Sequence, residues 1–301
     1  MDLPLISIGI PVVKANFLNE AIYCALEQTY SNIEIVILNN AKGNLIREQI
    51  ENIVTSFKSE KIYYYKNETQ LPIIENWNKL LTLVKGEYFS LLCDDDKWDK
   101  RFLMEIFKLT AKYPNANVFH SRALIVNDQG QHIRLTPMCN EYEDALDFIH
   151  ERLKFLRAHY LSDFVVKMSA MRKIKGFTQI STGWGSDDLT WTKLAVDHGI
   201  IYTPQILFYY RESNINISNT DGLKTKISGL SQFIILLNEL LVLMKPSDPD
   251  KIIQYNLILN EINVFRQKHI EMFWKKYLTI KLKSKTLSKL VFKIIRNKVT
   301  K

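Results

Sequence analysis

Residues 5–40 read LISIGIPVVKANFLNEAIYCALEQTYSNIEIVILNN. Two short, mainly apolar runs, Leu5 to Ile10 and Ile33 to Leu38, bracket a stretch (17–28) in which Leu18, Ile22, Ala25 and Leu26 recur at helical spacing. Short runs of branched apolar residues mark strands covered on both faces, and a helix between two of them predicts a parallel βαβ unit. The alternation continues outward. Residues 44–58 read as helix, Ile62 to Tyr65 as strand, 74–84 as helix and Tyr88 to Leu92 as strand. That order predicts an α/β fold with a doubly wound, mainly parallel sheet flanked by helices. Ligands of such sheets sit at the carboxyl ends of the strands. Asn39-Asn40 and Asp94-Asp95-Asp96 both fall there.

Further along, 102–112 reads as helix, 117–120 and 122–126 as strand, 127–130 as a turn and 141–158 as helix. A strand over 163–168, a helix over 186–198 and a late strand over 206–210 follow. From 221 the pattern is helical to the end, interrupted by Lys245-Pro-Ser-Asp-Pro249. This places an α/β body at 1–220 and a helical C-terminal region at 221–301. The 301 residues are 47% apolar and 24% charged, which suits a chain with a sizeable core and excludes a disordered or fibrous one. Cys24, Cys93 and Cys139 are odd in number and widely spaced, which argues against disulfides or a zinc site and for a reducing compartment. The first residues show no basic region followed by a long apolar one, so no signal peptide is expected. The most apolar stretch, 233–244, is too short to span a bilayer.

The net charge of +8 is uneven. Residues 274–301 hold ten Lys or Arg and no acid, and the rest hold 30 basic against 32 acidic residues. A near-neutral body with a cationic tail does not suit a nucleic-acid binder, and no base-reading motif is present. In 284–301, Leu287, Leu290, Val291, Ile294, Ile295 and Val299 fall on one helical stripe flanked by Lys285, Lys289, Lys293 and Arg296. That pattern predicts a helix lying on an anionic membrane surface; the alternative is a helix packed on the body with a solvated basic face.

Familiar cofactor signatures are absent. Gly183-Trp-Gly185 lacks the third glycine of a dinucleotide site, and no phosphate-loop, nucleophile-elbow or zinc-protease motif occurs. The triplet Asp94-Asp95-Asp96 is the strongest local feature. Three adjacent carboxylates repel one another, so they point either to a hard divalent cation or to a solvated turn capping the helix that begins near Arg101. Asp187 and Asp188 open the 186–198 helix. They read either as a cap near the helix dipole or as a carboxylate base on a rigid element.

Taken together and in order, these segments resemble the inverting nucleotide-sugar glycosyltransferases of family 2, which have the GT-A fold. The opening stretch is similar to that family's strand–Pro–helix–QTY–strand start. NWNKLLTLVKGEYFSLLCDDDKW (76–98) is similar to its acidic metal-binding segment. MRKIKGF (171–177) with GWGSDDLTWTKLA (183–195) resembles its acceptor-side segment, and FYYRESNINIS (208–218) its closing one. The resemblance covers residues 5–218.

The resemblance implies a sugar moved from a nucleotide-sugar, with a UDP-sugar favoured, to a hydroxyl of a glycan or lipid-linked glycan, in bacterial surface polysaccharide synthesis. It implies donor contacts from Pro11, Val12, Val13, Asn39, Asn67, Asn76, Asp94 and Asp95, and a Mn²⁺ or Mg²⁺ on Asp95 and Asp96, the triplet's register being open by one residue. It makes Asp187 the acceptor base with Asp188 as its rival, and puts Trp184 and Arg211 on the acceptor side. With the basic tail, it places the protein in the cytoplasm, peripheral on the inner face of the plasma membrane. Two departures matter. Asn39-Asn40 stands where family members carry acids, and Ser213 stands where a His often follows the late Tyr-Arg. They support a rival reading, a catalytically inactive sugar-nucleotide-binding or scaffold protein.

Overall fold

The structure is a computed structural model describing residues 3–213 and 222–299, with side chains described through 279 and at 281. Strands β1 (Ile6–Val12) and β2 (Ile33–Asn39) are buried at every position, as their mainly apolar runs favour. The one charge inside them, Glu34, accepts the Ser7 hydroxyl at 2.6 Å and the Lys85 N–H at 2.5 Å. Strand β3 (Ile62–Lys66) lies beyond β2 and β4 (Tyr88–Leu91) beyond β1, all parallel. Helices α1 (Leu18–Leu26), α2 (Asn44–Ser56) and α3 (Ile73–Leu83) make the crossovers.

The second half widens this sheet. In chain order come β5 (Lys97–Trp98), α4 (Phe102–Lys112), β6 (Val118–Val126), β7 (His132–Leu135), β8 (Tyr142–Glu143) and α5 (Ala145–Leu153). A 3-10 turn (Leu161–Asp163), β9 (Phe164–Lys167), α6 (Met168–Lys173), α7 (Ser186–Ala195) and β10 (Ile200–Arg211) follow. The main sheet order is β3-β2-β1-β4-β9-β6-β10-β5, with β7 on β6 and β8 on β10. Strand β9 is antiparallel to both β4 and β6, and β6 is parallel to β10. The long strands therefore all run one way, and the antiparallel members are short pieces between or beside them. The sheet is mixed, a GT-A-like α/β architecture. Strand β6 is continuous where the sequence suggested two pieces, and β10 starts six residues before the predicted 206, because Ile200 to Tyr202 are buried against β6 and β8.

One core cluster fills the α1, α2 and α4 face of the sheet, and a second fills the face covered by α3, α6 and α7. A third joins Leu146, Ile149, Leu153 and Leu189 of the body to Leu230, Phe233, Ile258 and Phe265 of the C-terminal helices α8 (Leu223–Leu243) and α9 (Pro249–Val299). The change of architecture near residue 220 is thus not a break in the core. Helix α8 is long and apolar enough, by length and composition only, to cross a membrane. The 233–244 stretch judged too short is its second half, and Leu230, Phe233, Leu237, Leu240 and Leu241 are buried against protein. The backbone of α9 is helical through the predicted membrane-binding stretch. The side chains of 284–299 and all of 300–301 lie outside the described residues.

Candidate active site

The loops after β1 and β4 meet at the carboxyl edge of the sheet. Asp94 Oδ2 accepts the backbone N–H groups of Val13 and Lys14, at 2.8 and 2.9 Å, which clamps one loop to the other. Asp96 is held from elsewhere, its Oδ2 accepting the Ser162 hydroxyl at 2.8 Å and its Oδ1 the Arg211 N–H at 3.2 Å. Asp95 keeps its carboxylate toward the opening, with the Lys14 ammonium 3.4 Å away. None of the three caps α4, whose N-cap Arg101 has no side-chain capping bond; Asp99 Oδ1 accepts the Arg101 N–H at 2.9 Å in the turn before that helix. Burial, then the charge of Asp95, pushes Asp94 up to about 6, and the same causes push Asp96 well above the usual carboxylate range.

A cleft of about 480 Å³ opens at this edge, and its wall includes Pro11, Val13, Asn76, Asp94, Asp95 and Asp96. Asn40, which the sequence places at a strand end with Asn39, lines it too, as do Lys14 and Trp77, which no motif marks. Val12, Asn39 and Asn67 lie beneath the surface rather than on it. Asn39 spends its amide on the turn, Oδ1 accepting the Ala41 N–H at 3.0 Å and Nδ2 donating to the Tyr64 hydroxyl at 2.8 Å. Asn40 is the amide that reaches the cleft. Its Oδ1 accepts from Leu71 N–H at 2.8 Å and from Asn67 Nδ2 at 2.9 Å, and Asn67 Nδ2 also donates to Asn76 Oδ1 at 2.8 Å. The buried Asn67 Oδ1 has no partner among the described residues.

Helix α7 begins at Gly185, whose φ of 74° is the left-handed conformation that favours glycine, and a Cβ there would meet Phe233 at 2.5 Å. Asp187 and Asp188 stand on the helix's first turn in unlike surroundings. Asp188 is buried, takes Arg152 Nε–H on both oxygens at 3.0 and 3.1 Å, and lies 2.5 Å from His159 Nε2. Burial opposes its ionisation, yet Arg152 and His159 hold it well below the usual carboxylate range. Asp187 is half-buried and makes no hydrogen bond to another side chain among the described residues, its carboxylate accepting only from the Asp188 backbone N–H. Burial, then the charge of Asp188, pushes it up to about 6. Neither aspartate is on the wall of the 480 Å³ cleft, although Ser181 and Thr182, a few residues earlier, are.

Trp184 and Arg211 are likewise off that wall. Trp184 packs edge-on to Phe233 at 5.4 Å and to His269 at 5.0 Å, joining the α7 entry to α8 and α9. Arg211, at the end of β10, braces the triplet from behind. Its Nε–H donates to the Asp95 carbonyl at 3.0 Å, its Nη2 to Glu20 at 2.9 Å, and its guanidinium sits 4.0 Å from the Phe17 ring centre. Residues 214–218 of the closing segment lie outside the described residues.

The donor set suits a hard divalent cation. Ligand atoms of Cys93, Asp95 and Asp96 lie within 4.8 Å of one another, and oxygen lone pairs on Asp95 and Asp96 stay free beside their hydrogen bonds. The Cys93 thiol is the poor member, since burial and the neighbouring carboxylates push it well above its ordinary value. Crowded carboxylates held partly protonated are what a cation would convert to full anions.

A doubly wound sheet with an acidic loop at its carboxyl edge, clamped to the loop after β1, defines the class of GT-A glycosyltransferases. The chain belongs to Glycosyl transferase family 2, whose pattern matches residues 7–175. An uncharacterized glycosyltransferase of Rickettsia typhi is 34% identical over 130 residues, which is 43% of this chain and 39% of that protein. The putative colanic acid biosynthesis glycosyl transferase WcaA of Escherichia coli is 33% identical over 96 residues, 32% of this chain and 34% of its own. The chain thus spans less than half the length of these curated relatives. Among solved structures, S. aureus TarS in complex with UDP-GlcNAc matches with a TM-score of 0.63 at 12% identity, covering 91% of this chain and 72% of TarS. The mannosyltransferase PcManGT of Pyrobaculum calidifontis, in complex with GDP-Man and Mn²⁺, matches with a TM-score of 0.60 at 12% identity, covering 93% of this chain and 75% of its own. At that identity the likeness is one of fold.

Proposed function

We propose that this protein is an inverting glycosyltransferase that moves a sugar from a nucleotide-sugar, a UDP-sugar by preference, to a hydroxyl of a glycan or lipid-linked glycan in bacterial polysaccharide assembly. The observation that carries the reading is the clamp of Asp94 by Val13 and Lys14, which sets two further carboxylates on the wall of a cleft where doubly wound folds bind ligands. The nucleotide-sugars bound by TarS and PcManGT, and the pathway named for WcaA, support the donor class and the polysaccharide setting. The basic, amphipathic sequence of 284–301 supports work at the cytoplasmic face of a membrane. Residues 1–220 form the transferase body and 221–301 the helical region that carries the tail.

The chemistry follows from the residues present. Pro11, Val13, Asn40 and Asn76 receive the nucleotide, with Asn39 and Asn67 holding the wall behind them. Asp187 takes the acceptor hydroxyl proton as that oxygen forms a bond to sugar C1 and the C1–O bond to phosphate breaks, inverting the anomeric centre. With Asp187 pushed up to about 6, it is ionised at neutral pH yet basic enough to accept a proton. Asp188 is committed to its partners and serves as support. A Mn²⁺ or Mg²⁺ held by Asp95 and Asp96 would offset the negative charge gathering on the leaving diphosphate.

The test is a thermal-shift screen of sugar nucleotides with and without Mn²⁺, followed by a transfer assay with the best donor. The expected result is stabilisation by one nucleotide class, larger with metal, since a ligand that binds only the folded state raises its stability. Undiminished binding in EDTA would overturn the metal assignment. Binding without transfer or donor hydrolysis under any acceptor would leave the inactive sugar-nucleotide binder as the correct reading.

A further inference from the structure

The two aspartates of α7 are neighbours in sequence but not in circumstance. Asp188 is tied to α5 through Arg152 and to the segment before β9 through His159, whose Nε2 must carry the hydrogen because an ionised carboxylate only accepts. The first turn of α7 is therefore pinned at its second carboxylate by two separate elements, and the first carboxylate is left without a side-chain hydrogen-bond partner. A network that bonded both would hold both as anions too weakly basic to take a proton. This one is built asymmetrically.

We propose that Arg152 and His159 are positioning residues that fix Asp188 as a permanent anion and, through it, set the orientation and protonation of Asp187. The inference rests on the reading of Asp187 as the acceptor base. The charged and titratable groups acting most strongly on Asp187 are Asp188 on its own helix, Arg152 on α5 and His159 on the segment before β9. His269 of α9 lies near the same pair, and burial pushes it down to about 4, so it is neutral at working pH. Helix α8, which also packs on α7, supplies none of the strongest charges.

The experiment labels aspartate carboxyl carbons with ¹³C and identifies the Asp187 signal by its loss in Asp187→Asn. The signal is titrated in donor-free wild type, Arg152→Met, Arg152→Lys and Asp188→Asn, each checked for folding by near-ultraviolet circular dichroism. Loss of the neighbouring cation in Arg152→Met moves the Asp187 titration upward by about one unit, and loss of the neighbouring anion in Asp188→Asn moves it downward by about as much. Arg152→Lys keeps the charge but not the reach to both oxygens, so the titration stays in place while kcat falls about tenfold. The acid limb of kcat/KM follows the same directions. If the carboxyl signal shifts but the acid limb does not, Asp187 is not the base, and the positioning network stands. If the signal is unmoved in Asp188→Asn and in whichever Arg152 variant folds, the inference is wrong.

Discussion

The Ser162 hydroxyl donates its hydrogen to Asp96 Oδ2 at 2.8 Å, and its own Oγ accepts the Cys93 N–H at 3.0 Å. One fully buried hydroxyl thus holds both ends of the turn that carries the acidic triplet. Its carbonyl also accepts the Trp98 indole N–H at 2.7 Å.

Ser162→Ala removes a donor from a buried carboxylate and an acceptor from a buried N–H. The expected loss is about 1–3 kcal/mol of unfolding free energy, the cost of leaving such groups unpaired. Asp96 loses a bond to its ionised form, so Mn²⁺ affinity at neutral pH should fall with it. Urea denaturation and Mn²⁺ calorimetry read the two effects. Unchanged metal affinity would detach Asp96 from the metal site.

Asp187→Asn and Asp188→Asn should fail in different ways. The first keeps size but cannot take a proton, so turnover should drop about a hundredfold or more with donor affinity nearly unchanged. The second leaves Arg152 beside a neutral amide in a buried place, and about 3 kcal/mol of stability should go with it. Turnover and donor affinity are measured alongside denaturant midpoints. A stable, inactive Asp188→Asn beside an active Asp187→Asn would reverse the assignment.

The parts of this molecule that could be read from sequence are those whose signal is local. Mainly apolar runs such as Ile6 to Ile10 announce buried parallel strands, and three consecutive aspartates at the end of a fourth run announce the site. What holds the site was not readable. Ser162 and Arg211 reach the triplet from positions more than sixty residues downstream, and an ordinary serine carries no pattern. The reach of Asn40 to the cleft, with Asn39 turned into the loop, depends on which carbonyl and N–H groups close around them. The antiparallel placement of β9 between β4 and β6 was equally silent, because Phe164–Lys167 is a short apolar run of the kind either orientation uses. Arg152 and His159 approach Asp188 only once α5 and α7 pack together, which no spacing in the chain encodes.

Asp163 links burial to pH. It is buried beside His120, 3.9 Å away, and burial pushes the carboxyl up to about 8 and the imidazole down to about 3. At neutral pH the two are therefore a neutral pair rather than an ion pair. A carboxyl raised above its unfolded value near 4 binds its proton more tightly in the native state, so native stability falls as pH rises between about 4 and 8. The slope from this one group is at most about 1.4 kcal/mol per pH unit. Asp163→Asn should flatten that part of the stability–pH curve and leave the protein more stable than wild type at pH near 8. Denaturation midpoints across the range decide it, and an unaltered slope would mean that Asp163 is ionised in the fold.

The tail is where two physical outcomes can be separated. Along α9, Tyr255, Ile258, Ile262, Phe265 and His269 are buried against the body, whereas Trp274 and Leu278 are about half exposed and Lys275 and Lys276 stand beside them. The packed face runs to Phe273, which meets Trp184, and the basic sequence begins just after it. An interfacial helix gains from its apolar stripe and from roughly 1 kcal/mol per Lys or Arg near an anionic leaflet. Deleting 284–301 should release the protein from anionic vesicles, and added salt should do so in part through screening. Leu290→Asp with Ile294→Asp should mimic the deletion, since charges on the stripe oppose burial among acyl chains. Transfer to a small soluble acceptor should survive all three treatments, because every proposed site residue precedes 220. If the stripe packs on protein instead, the double substitution will lower the melting temperature and leave vesicle binding as it was.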